Sequence, residues 1–268
     1  MTYPEAILFG IVQGISEFLP ISSTAHIIIT ELLLGYDFPG LSFEIFLHLA
    51  SILAVAVYFR RDLAVIISGF FAYRTDRSAE NLVSFRFGIY IIVATIITGV
   101  LGVALKNVVA DVMKSPAFMA GALALTGVFL VIIERFHRYG SRTEKEMTLR
   151  DAIIVGLGQS IAILPGVSRS GSTLIVALFA GLSRDTAVRY SFILAIPVIL
   201  GSSVLAIGDI GGGFFAGLGW GPLAVSFITT FVFSWLGIAW LIDFLKKGRL
   251  VYFAVYLFIL AITLYFFL

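Results

Sequence analysis

The sequence predicts an all-α, polytopic membrane protein with six transmembrane helices and two re-entrant helical hairpins, arranged as two inverted-topology repeats. The first observation is composition: 60% of the 268 residues are hydrophobic and 13% are charged, whereas about 25% are charged in a typical soluble domain. The second is a set of six long apolar stretches. The third is a pair of short apolar runs broken at a proline, which occurs twice. We therefore expect one integral-membrane domain over residues 1–268.

Six apolar stretches approach the roughly 20 residues that a helix needs to cross a bilayer core. In chain order they are Ser42–Tyr58, Phe87–Leu105, Ala117–Ile133, Tyr190–Ile207, Leu223–Ile242 and Leu250–Leu268. Pro197 lies inside the fourth stretch, where we expect a kink and not a helix end. Leu63–Phe71 is shorter and lies between charges, so we expect an interfacial segment or part of a long loop.

Two further segments consist of paired apolar runs that are each too short to cross a membrane. The pairs are Ala6–Leu19 with Ala25–Leu34, and Ile153–Ala162 with Leu174–Leu182. Pro20 and Pro165 interrupt them, and proline both lacks an N–H donor and disfavours helix at the preceding residue. We predict that each pair is a re-entrant hairpin. The alternative is a chain of eight full or nearly full spans.

The basic residues sort to one side of the membrane if the loops alternate. That side would hold Arg60, Arg61, Arg74, Arg77, Arg86, Arg135, Arg138, Arg142, Lys145, Arg150, Arg184, Arg189, Lys246, Lys247 and Arg249. The other side would hold Lys106 and Lys114, and Arg169 lies in the second hairpin. Because Lys and Arg concentrate in cytoplasmic loops, the larger group is predicted to be cytoplasmic. The first hairpin then enters from outside and the second from inside.

Each predicted hairpin is followed by three spans, so the halves, about 1–134 and 151–268, are predicted to be inverted repeats. The residues Gln13, Leu19 and Pro20 of the first half correspond to Gln159, Leu164 and Pro165 of the second half. In folds of this kind, discontinuous helices meet near the bilayer midplane and form the binding site there. We therefore expect the two hairpin tips to meet.

The second hairpin tip has the features of an anion site. Its glycines allow tight backbone geometry, and its hydroxyls fall where a new helix should begin, with unpaired N–H groups. Arg169 adds a planar fork that matches phosphate oxygens. The predicted substrate-binding residues of this tip are Gly166, Ser168, Ser170, Gly171 and Thr173.

Gln13 and Glu17 are four residues apart and therefore share a helix face. A carboxylate at membrane depth costs roughly 2.5–3.5 kcal/mol on insertion scales, so it should have a partner. Arg169 is the basic residue available in the apolar part of the other half, and we predict that it meets Glu17. A purely structural ion pair is the alternative, but neighbouring hydroxyls favour a ligand. Those hydroxyl residues are Ser22, Ser23 and Thr24. In this half, Gln13, Ser22 and Thr24 are the predicted substrate-binding residues.

The candidates for proton transfer and nucleophilic attack are His26 and Ser23. An imidazole can act as acid, base or nucleophile, although a lone histidine in an apolar helix is usually a core residue. Ser23 is the competing nucleophile, and water is the third choice. Glu44 and His48, again four residues apart, are candidates for a second polar shell or a proton path. The alternative is an interhelical hydrogen-bond pair.

The sequence permits a divalent cation, Mg²⁺ or Ca²⁺, beside a bound phosphate, with Glu17 and Gln13 as the candidate ligands. It contains no P-loop, no dinucleotide fingerprint and no His-Glu-x-x-His motif, and we expect no nucleic-acid partner. The lack of cysteine excludes disulfide and thiolate chemistry.

The two motifs around the proline breaks resemble those of the undecaprenyl-diphosphate phosphatase family, the bacitracin-resistance type of integral-membrane enzyme. The first family motif matches Gln13, Glu17, Phe18, Leu19, Pro20, Ser22, Ser23, Thr24 and His26. The second matches Pro165, Gly166, Ser168, Arg169, Ser170, Gly171 and Thr173. The similarity runs from near residue 5 to the last span.

The resemblance implies that the protein removes the terminal phosphate from a C55 polyprenyl diphosphate, recycles this carrier lipid for cell-wall synthesis and confers bacitracin resistance. It also implies a multi-pass protein of the inner (plasma) membrane, a site open to the outer face, a divalent cation and a homodimer. Some family members carry Glu where this chain has Gln13. A role as base or charged metal ligand therefore moves to Glu17.

The residues leave a second class of function open. A flippase or anion transporter could move a lipid phosphate, because inverted repeats with broken helices are a transporter architecture. A transporter needs no acid, base or nucleophile, so the expected cluster of Glu17, Ser23, His26 and Arg169 favours catalysis. A structural scaffold would leave the buried charges without a purpose.

Overall fold

The computed structural model describes residues 1–38, 42–109, 115–136, 140–207, 213–247 and 249–267. Over these residues the chain is all-α, with twelve α-helices and one short 3-10 helix at Glu144–Glu146. The α-helices are α1 (Tyr3–Ser16), α2 (Ser23–Leu34), α3 (Ser42–Tyr58), α4 (Arg60–Ala72), α5 (Ala79–Val109), α6 (Pro116–Phe136), α7 (Leu149–Ile161), α8 (Arg169–Phe179), α9 (Arg184–Ile207), α10 (Gly213–Leu218), α11 (Trp220–Lys247) and α12 (Val251–Phe267). Three residues used in the sequence predictions, Lys114, Arg138 and Leu268, lie outside the described residues.

Four helices are long and apolar enough to cross a membrane: α5, α6, α9 and α11. A fifth candidate is α3 together with α4, although the two are bent by 76° relative to each other. The last stretch forms α12, an apolar helix of 17 residues. All six predicted spans are therefore helical. Leu63–Phe71 belongs to α4, a separate helix that turns away from α3, and Pro197 lies inside α9 as expected.

Four helices have about half the length of a span. α1, α2, α7 and α8 contain 14, 12, 13 and 11 residues. At 1.5 Å per residue these helices are roughly 17–21 Å long, which is short of the ~30 Å hydrocarbon core. Pro20 falls between α1 and α2, and Pro165 falls between α7 and α8. Both predicted helix breaks are confirmed.

The two halves of the chain pack in a reciprocal pattern. α1 packs along α11 of the other half, and α7 packs along α5. Likewise, α3 packs on α9 and α6 on α12. Gly10 and Gly14 permit the close α1–α11 approach, because a Cβ at these positions would lie 2.6 Å from Thr229 Cβ and 2.7 Å from Phe233 Cβ, respectively. Small residues spaced in this way let two membrane helices come together.

Charged side chains connect several segments at one end of the molecule. Arg189 on α9 contacts Asp62 on α4 at 2.8 Å and Glu144 at 2.6 Å. The Glu134 carboxylate of α6 accepts the N–H of Leu250, just before α12, at 3.2 Å. Each contact joins two segments that the distribution of basic residues assigned to the same side of the membrane.

An aromatic cluster and a tyrosine–carboxylate contact lie near the start of α3. Phe9, Phe38 and Phe43 pack with ring centroids 4.7–5.8 Å apart. The Tyr36 hydroxyl donates to Glu5 Oε2 at 2.7 Å. Burial and this hydrogen bond raise the pKa of Tyr36 to about 12. The contact ties the segment after α2 to the start of α1.

Candidate active site

The tips of the two broken helix pairs meet inside the protein. Ser170 Oγ, in the first turn of α8, donates to the Leu19 carbonyl at 2.9 Å. A Cβ on Gly171 would lie 3.2 Å from Pro20 Cβ, so the tips are in close contact. Ser168 caps α8, because its Oγ accepts the Gly171 N–H at 3.0 Å. The predicted meeting of the tips is confirmed.

Glu17 lies at the centre of this junction and is contacted by four side chains. Its Oε1 accepts a hydrogen bond from Arg169 Nη2 at 2.6 Å. Its Oε2 accepts from Ser23 Oγ at 2.6 Å and from Gln13 Nε2 at 2.9 Å, and lies 3.0 Å from His48 Nε2. The Glu17 side chain is 3% exposed. A buried charge of this kind is stable because it is both paired and hydrogen-bonded, and the predicted meeting of Glu17 with Arg169 is confirmed.

Two buried polar atoms beside this cluster lack a hydrogen-bond partner among the described residues: Gln13 Oε1 and Arg169 Nη1. A buried polar atom without a partner is costly. One of these atoms is an acceptor and the other is a charged donor. The site can therefore offer a guanidinium N–H to an anion and an amide oxygen to a cation or hydroxyl group.

Ser23 follows a strained turn. Ser22 has φ +69° and is the only non-glycine residue with a positive φ among the described residues. Such a conformation costs roughly 1–3 kcal/mol and persists only where the surroundings enforce it. The turn places Ser23 as the first residue of α2, with its hydroxyl on the Glu17 carboxylate. Strain next to a hydroxyl held by a carboxylate is a feature of functional sites.

His48 lies closer to the centre than the sequence indicated. We placed Glu44 and His48 in a second polar shell, but His48 Nε2 contacts the Glu17 carboxylate directly. Glu44 is buried one helical turn earlier on α3. The four-residue spacing correctly predicted a shared face. It could not show how far α3 approaches α1, which depends on tertiary packing.

His26 lies apart from the four side chains that contact Glu17. Its Nδ1 is 2.7 Å from the Ser22 carbonyl oxygen, and its Nε2 is 2.6 Å from the Tyr256 hydroxyl on α12. The expected contact of His26 with the reacting groups is therefore replaced by contacts with the turn and with the last helix. Tyr256 was missed, because nothing in the apolar α12 sequence distinguishes it from other membrane-facing tyrosines.

The remaining predicted residues surround Arg169 or Ser23. Gly166 has φ +94°, and a Cβ there would lie 2.8 Å from Ala122 Cβ on α6, so both conformation and space require glycine. Thr173 Oγ1 donates to the Arg169 carbonyl at 3.1 Å. Thr24 is half-buried next to Ser23. Their binding of substrate stays a prediction.

The arrangement does not form a metal site from protein groups alone. Within the described part of the chain, no group of three or more His, Cys, Asp or Glu residues is placed to hold a metal ion. Both Glu17 oxygens are already used by donors. Gln13 Oε1 is the buried oxygen that could contact a cation held mainly by a bound phosphate.

The fold and the site define a multi-pass helical membrane protein whose interior holds a carboxylate in contact with both a serine hydroxyl and a guanidinium. A family model described as "Bacitracin resistance protein BacA" matches residues 6–263, and the chain belongs to this family.

Relatives extend over the whole chain. "Undecaprenyl-diphosphatase 2" of Halalkalibacterium halodurans is 64% identical over 268 residues, covering 100% of this chain and 96% of that protein. "Undecaprenyl-diphosphatase 1" of Shouchella clausii is 58% identical over 268 residues, covering 100% and 97%. "Undecaprenyl-diphosphatase 1" of Bacillus cereus is 36% identical over 262 residues, covering 98% and 96%.

Proposed function

We propose that this protein is a membrane phosphatase that hydrolyses the terminal phosphate of undecaprenyl diphosphate and so recycles the carrier lipid for cell-wall synthesis. The observation that carries the proposal is the Ser23 hydroxyl, 2.6 Å from a buried carboxylate that also holds Arg169. This is the arrangement of a nucleophile, a base and an anion-binding group. The names of the relatives supply the substrate, and the family description supplies bacitracin resistance.

The terminal phosphate would bind at the start of α8. Unpaired N–H groups give a helix start a positive partial charge, and Arg169 adds a full charge there. Its Nη1 is buried without a partner in the described part of the chain, and a phosphate oxygen would satisfy it. The prenyl chain would stay among the apolar helices. Arg169 would then be shared between Glu17 and the phosphate.

Ser23 is the nucleophile that the contacts favour over His26. Glu17 would take the proton from Ser23 Oγ as this oxygen attacks the terminal phosphorus. The bond from phosphorus to the bridging oxygen would break, and the lipid monophosphate would leave with the proton from Glu17. In the second step Glu17 would take a proton from water, which attacks the phosphoserine and releases inorganic phosphate, and the proton would return to Ser23.

Two side chains would support these steps. Arg169 would take up the negative charge that develops on the phosphoryl oxygens. His48 would orient the Glu17 carboxylate, since the two side chains are 3.0 Å apart. Direct attack by water, with Glu17 as the base, is the competing path. A phosphoserine intermediate at Ser23 distinguishes the two.

We further propose that Mg²⁺ or Ca²⁺ binds together with the diphosphate, with Gln13 Oε1 as the protein ligand and the Glu17 charge nearby. The unpartnered amide oxygen supports this role. A bound cation would neutralise phosphate charge. Glu17 would not be a metal ligand, because both of its oxygens already accept hydrogen bonds from protein donors. It would remain the group that accepts the proton from Ser23.

The proposed topology is six spans and two re-entrant hairpins in inverted repeats, about 1–134 and 151–268, in the plasma membrane. The reciprocal packing of α1 on α11 and α7 on α5 supports the repeats. An opening of the site to the outer face, like the homodimer, rests on the family resemblance.

The transporter alternative gains no support. None of the three relatives described above is named as a transporter. A purely transporting site would also have no use for a serine hydroxyl held on a buried carboxylate.

The test is phosphate release by purified protein in detergent, where transport has no meaning. C55 and C15 diphosphates are compared, each with and without a metal chelator. The proposal predicts release of one inorganic phosphate per lipid, loss of release with chelator and recovery on addition of Mg²⁺ or Ca²⁺. If neither lipid releases phosphate under any of the metal conditions, the proposed phosphatase activity is contradicted. Release that is insensitive to chelator would contradict the metal proposal alone.

A further inference from the structure

A polar bridge joins the last helix to the turn that precedes the proposed nucleophile. The Tyr256 hydroxyl on α12 lies 2.6 Å from His26 Nε2 on α2, and the two rings stack with centroids 5.7 Å apart and planes 14° apart. α12 itself packs along α6, and Tyr256 is 42% exposed. α2 and α12 do not pack extensively on each other, so the bridge is not a by-product of helix packing.

The contacts define the tautomer of His26. A backbone carbonyl can only accept hydrogen bonds, so Nδ1, at 2.7 Å from the Ser22 oxygen, carries the proton. In the neutral imidazole, Nε2 is then the acceptor, and the Tyr256 O–H donates to it. The Ser22 carbonyl therefore sets the tautomer, and the Tyr256 hydroxyl stabilises it by donating to the lone pair that it leaves on Nε2.

The Ser22 carbonyl receives two hydrogen bonds from the same residue. His26 Nδ1 donates at 2.7 Å and the His26 backbone N–H donates at 3.3 Å. Ser22 is also the residue with φ +69° that precedes Ser23. The strained turn is thus held from one side by His26, and His26 is held in turn by Tyr256.

We propose that Tyr256 is a positioning residue for the reaction: through His26 it holds the Ser22 turn that presents the Ser23 hydroxyl to Glu17. This inference rests on the proposed function and adds a residue from the last helix to the same site. Tyr256 would act without contact to the reacting atoms.

The kinetic test uses Tyr256→Phe, which keeps the ring stack and removes the hydroxyl. We expect kcat to fall roughly tenfold, the scale of one hydrogen bond, with KM changed by less than about twofold. Tyr252→Phe removes a hydroxyl from the same helix one turn earlier and is the matched control, with unchanged kcat. In a His26→Ala background, Tyr256→Phe should cause no additional loss. A full additional loss, or unchanged kcat in Tyr256→Phe, would overturn the proposal.

A second measurement is independent of turnover. Diethyl pyrocarbonate reacts with the imidazole lone pair, and peptide mass spectrometry separates His26 from His48 and His137. Loss of the Tyr256 hydroxyl should increase His26 labelling severalfold, while Tyr252→Phe should leave it unchanged. Equal His26 labelling in Tyr256→Phe and wild type would overturn the contact and the proposal. If wild-type protein releases no phosphate, the proposed function fails, and labelling still reports whether the contact forms.

Discussion

Glu17 and Arg169 are 152 residues apart in the chain, yet their side chains meet at 2.6 Å. Glu17 follows α1 and Arg169 begins α8, so each half of the chain supplies one charge. Each charge is costly at membrane depth without the other. The site therefore exists only when both halves are assembled, and the substrate phosphate must compete with Glu17 for the guanidinium.

Arg169→Lys tests the need for a planar fork. Lysine keeps the positive charge but cannot bind Glu17 and a phosphate oxygen with two fixed donors. Loss of a charge-assisted contact of about 3 kcal/mol should lower kcat/KM roughly a hundredfold. Steady-state phosphate release measures this, and Arg61→Lys, an exposed arginine on α4, is the matched control. Activity in Arg169→Lys above about a tenth of wild type would contradict the proposed phosphate contact.

Ser23→Ala tests the nucleophile. Without the Oγ no phosphoserine can form, so turnover should fall by at least roughly a thousandfold if the covalent path operates. Ser16→Ala is the control, since Ser16 is also buried but its Oγ donates to the Val12 carbonyl. Rapid quenching with ³²P-labelled lipid should trap label on Ser23 in wild type. Label on His26, or near-normal turnover in Ser23→Ala, would exclude Ser23 as the nucleophile.

Gly14→Ala tests the close approach of α1 to α11. A Cβ at this position would lie 2.7 Å from both Phe233 Cβ and the Ser234 nitrogen, so the helices must separate. We expect a clearly lower midpoint of thermal unfolding in detergent and reduced activity, because α1 carries Gln13. Gly121→Ala on α6 has nothing within 4 Å of the added methyl group and should be neutral. Equal stability of the two variants would refute the tight α1–α11 packing.

Tyr36→Phe tests the contact with Glu5 through its pH dependence. The pKa of Tyr36 is raised to about 12 by burial and by this hydrogen bond, against about 10 for a free phenol. A raised pKa stabilises the folded state below pH 10, and the contribution disappears as pH rises through 12. Wild type should unfold a few degrees above Tyr36→Phe at pH 8, with the gap closing near pH 12. A gap that does not change with pH would contradict the assignment.

Much of the fold was predictable because bilayer thickness sets helix length. Hydropathy located the six apolar helices, of which four, or five with the bent α3–α4 pair, are candidate membrane spans among the described residues, and two prolines located the breaks. The charges at the start of α4 indicated a separate segment, but the 76° bend between α3 and α4 was not predictable, since a single residue, Phe59, separates the two helices.

The site was predictable where charge dictated it and unpredictable where packing did. Burial of Glu17 demanded a cationic partner, and Arg169 was the available one. His48 could not be placed against Glu17 from spacing alone, because its distance depends on how closely α3 approaches α1. Tyr256 carries no local signal in α12, and its contact with His26 emerges only from tertiary structure.

The most direct test of the account is turnover of undecaprenyl diphosphate by Glu17→Gln in detergent. Glutamine keeps the size and shape of the side chain but removes the base and the negative charge that orients Arg169 and Ser23. The account predicts phosphate release at least roughly a hundredfold slower than wild type, in protein that still elutes as a single folded species but unfolds at a lower temperature, because Arg169 loses its paired carboxylate. Folded Glu17→Gln that turns over at more than about a tenth of the wild-type rate would contradict it.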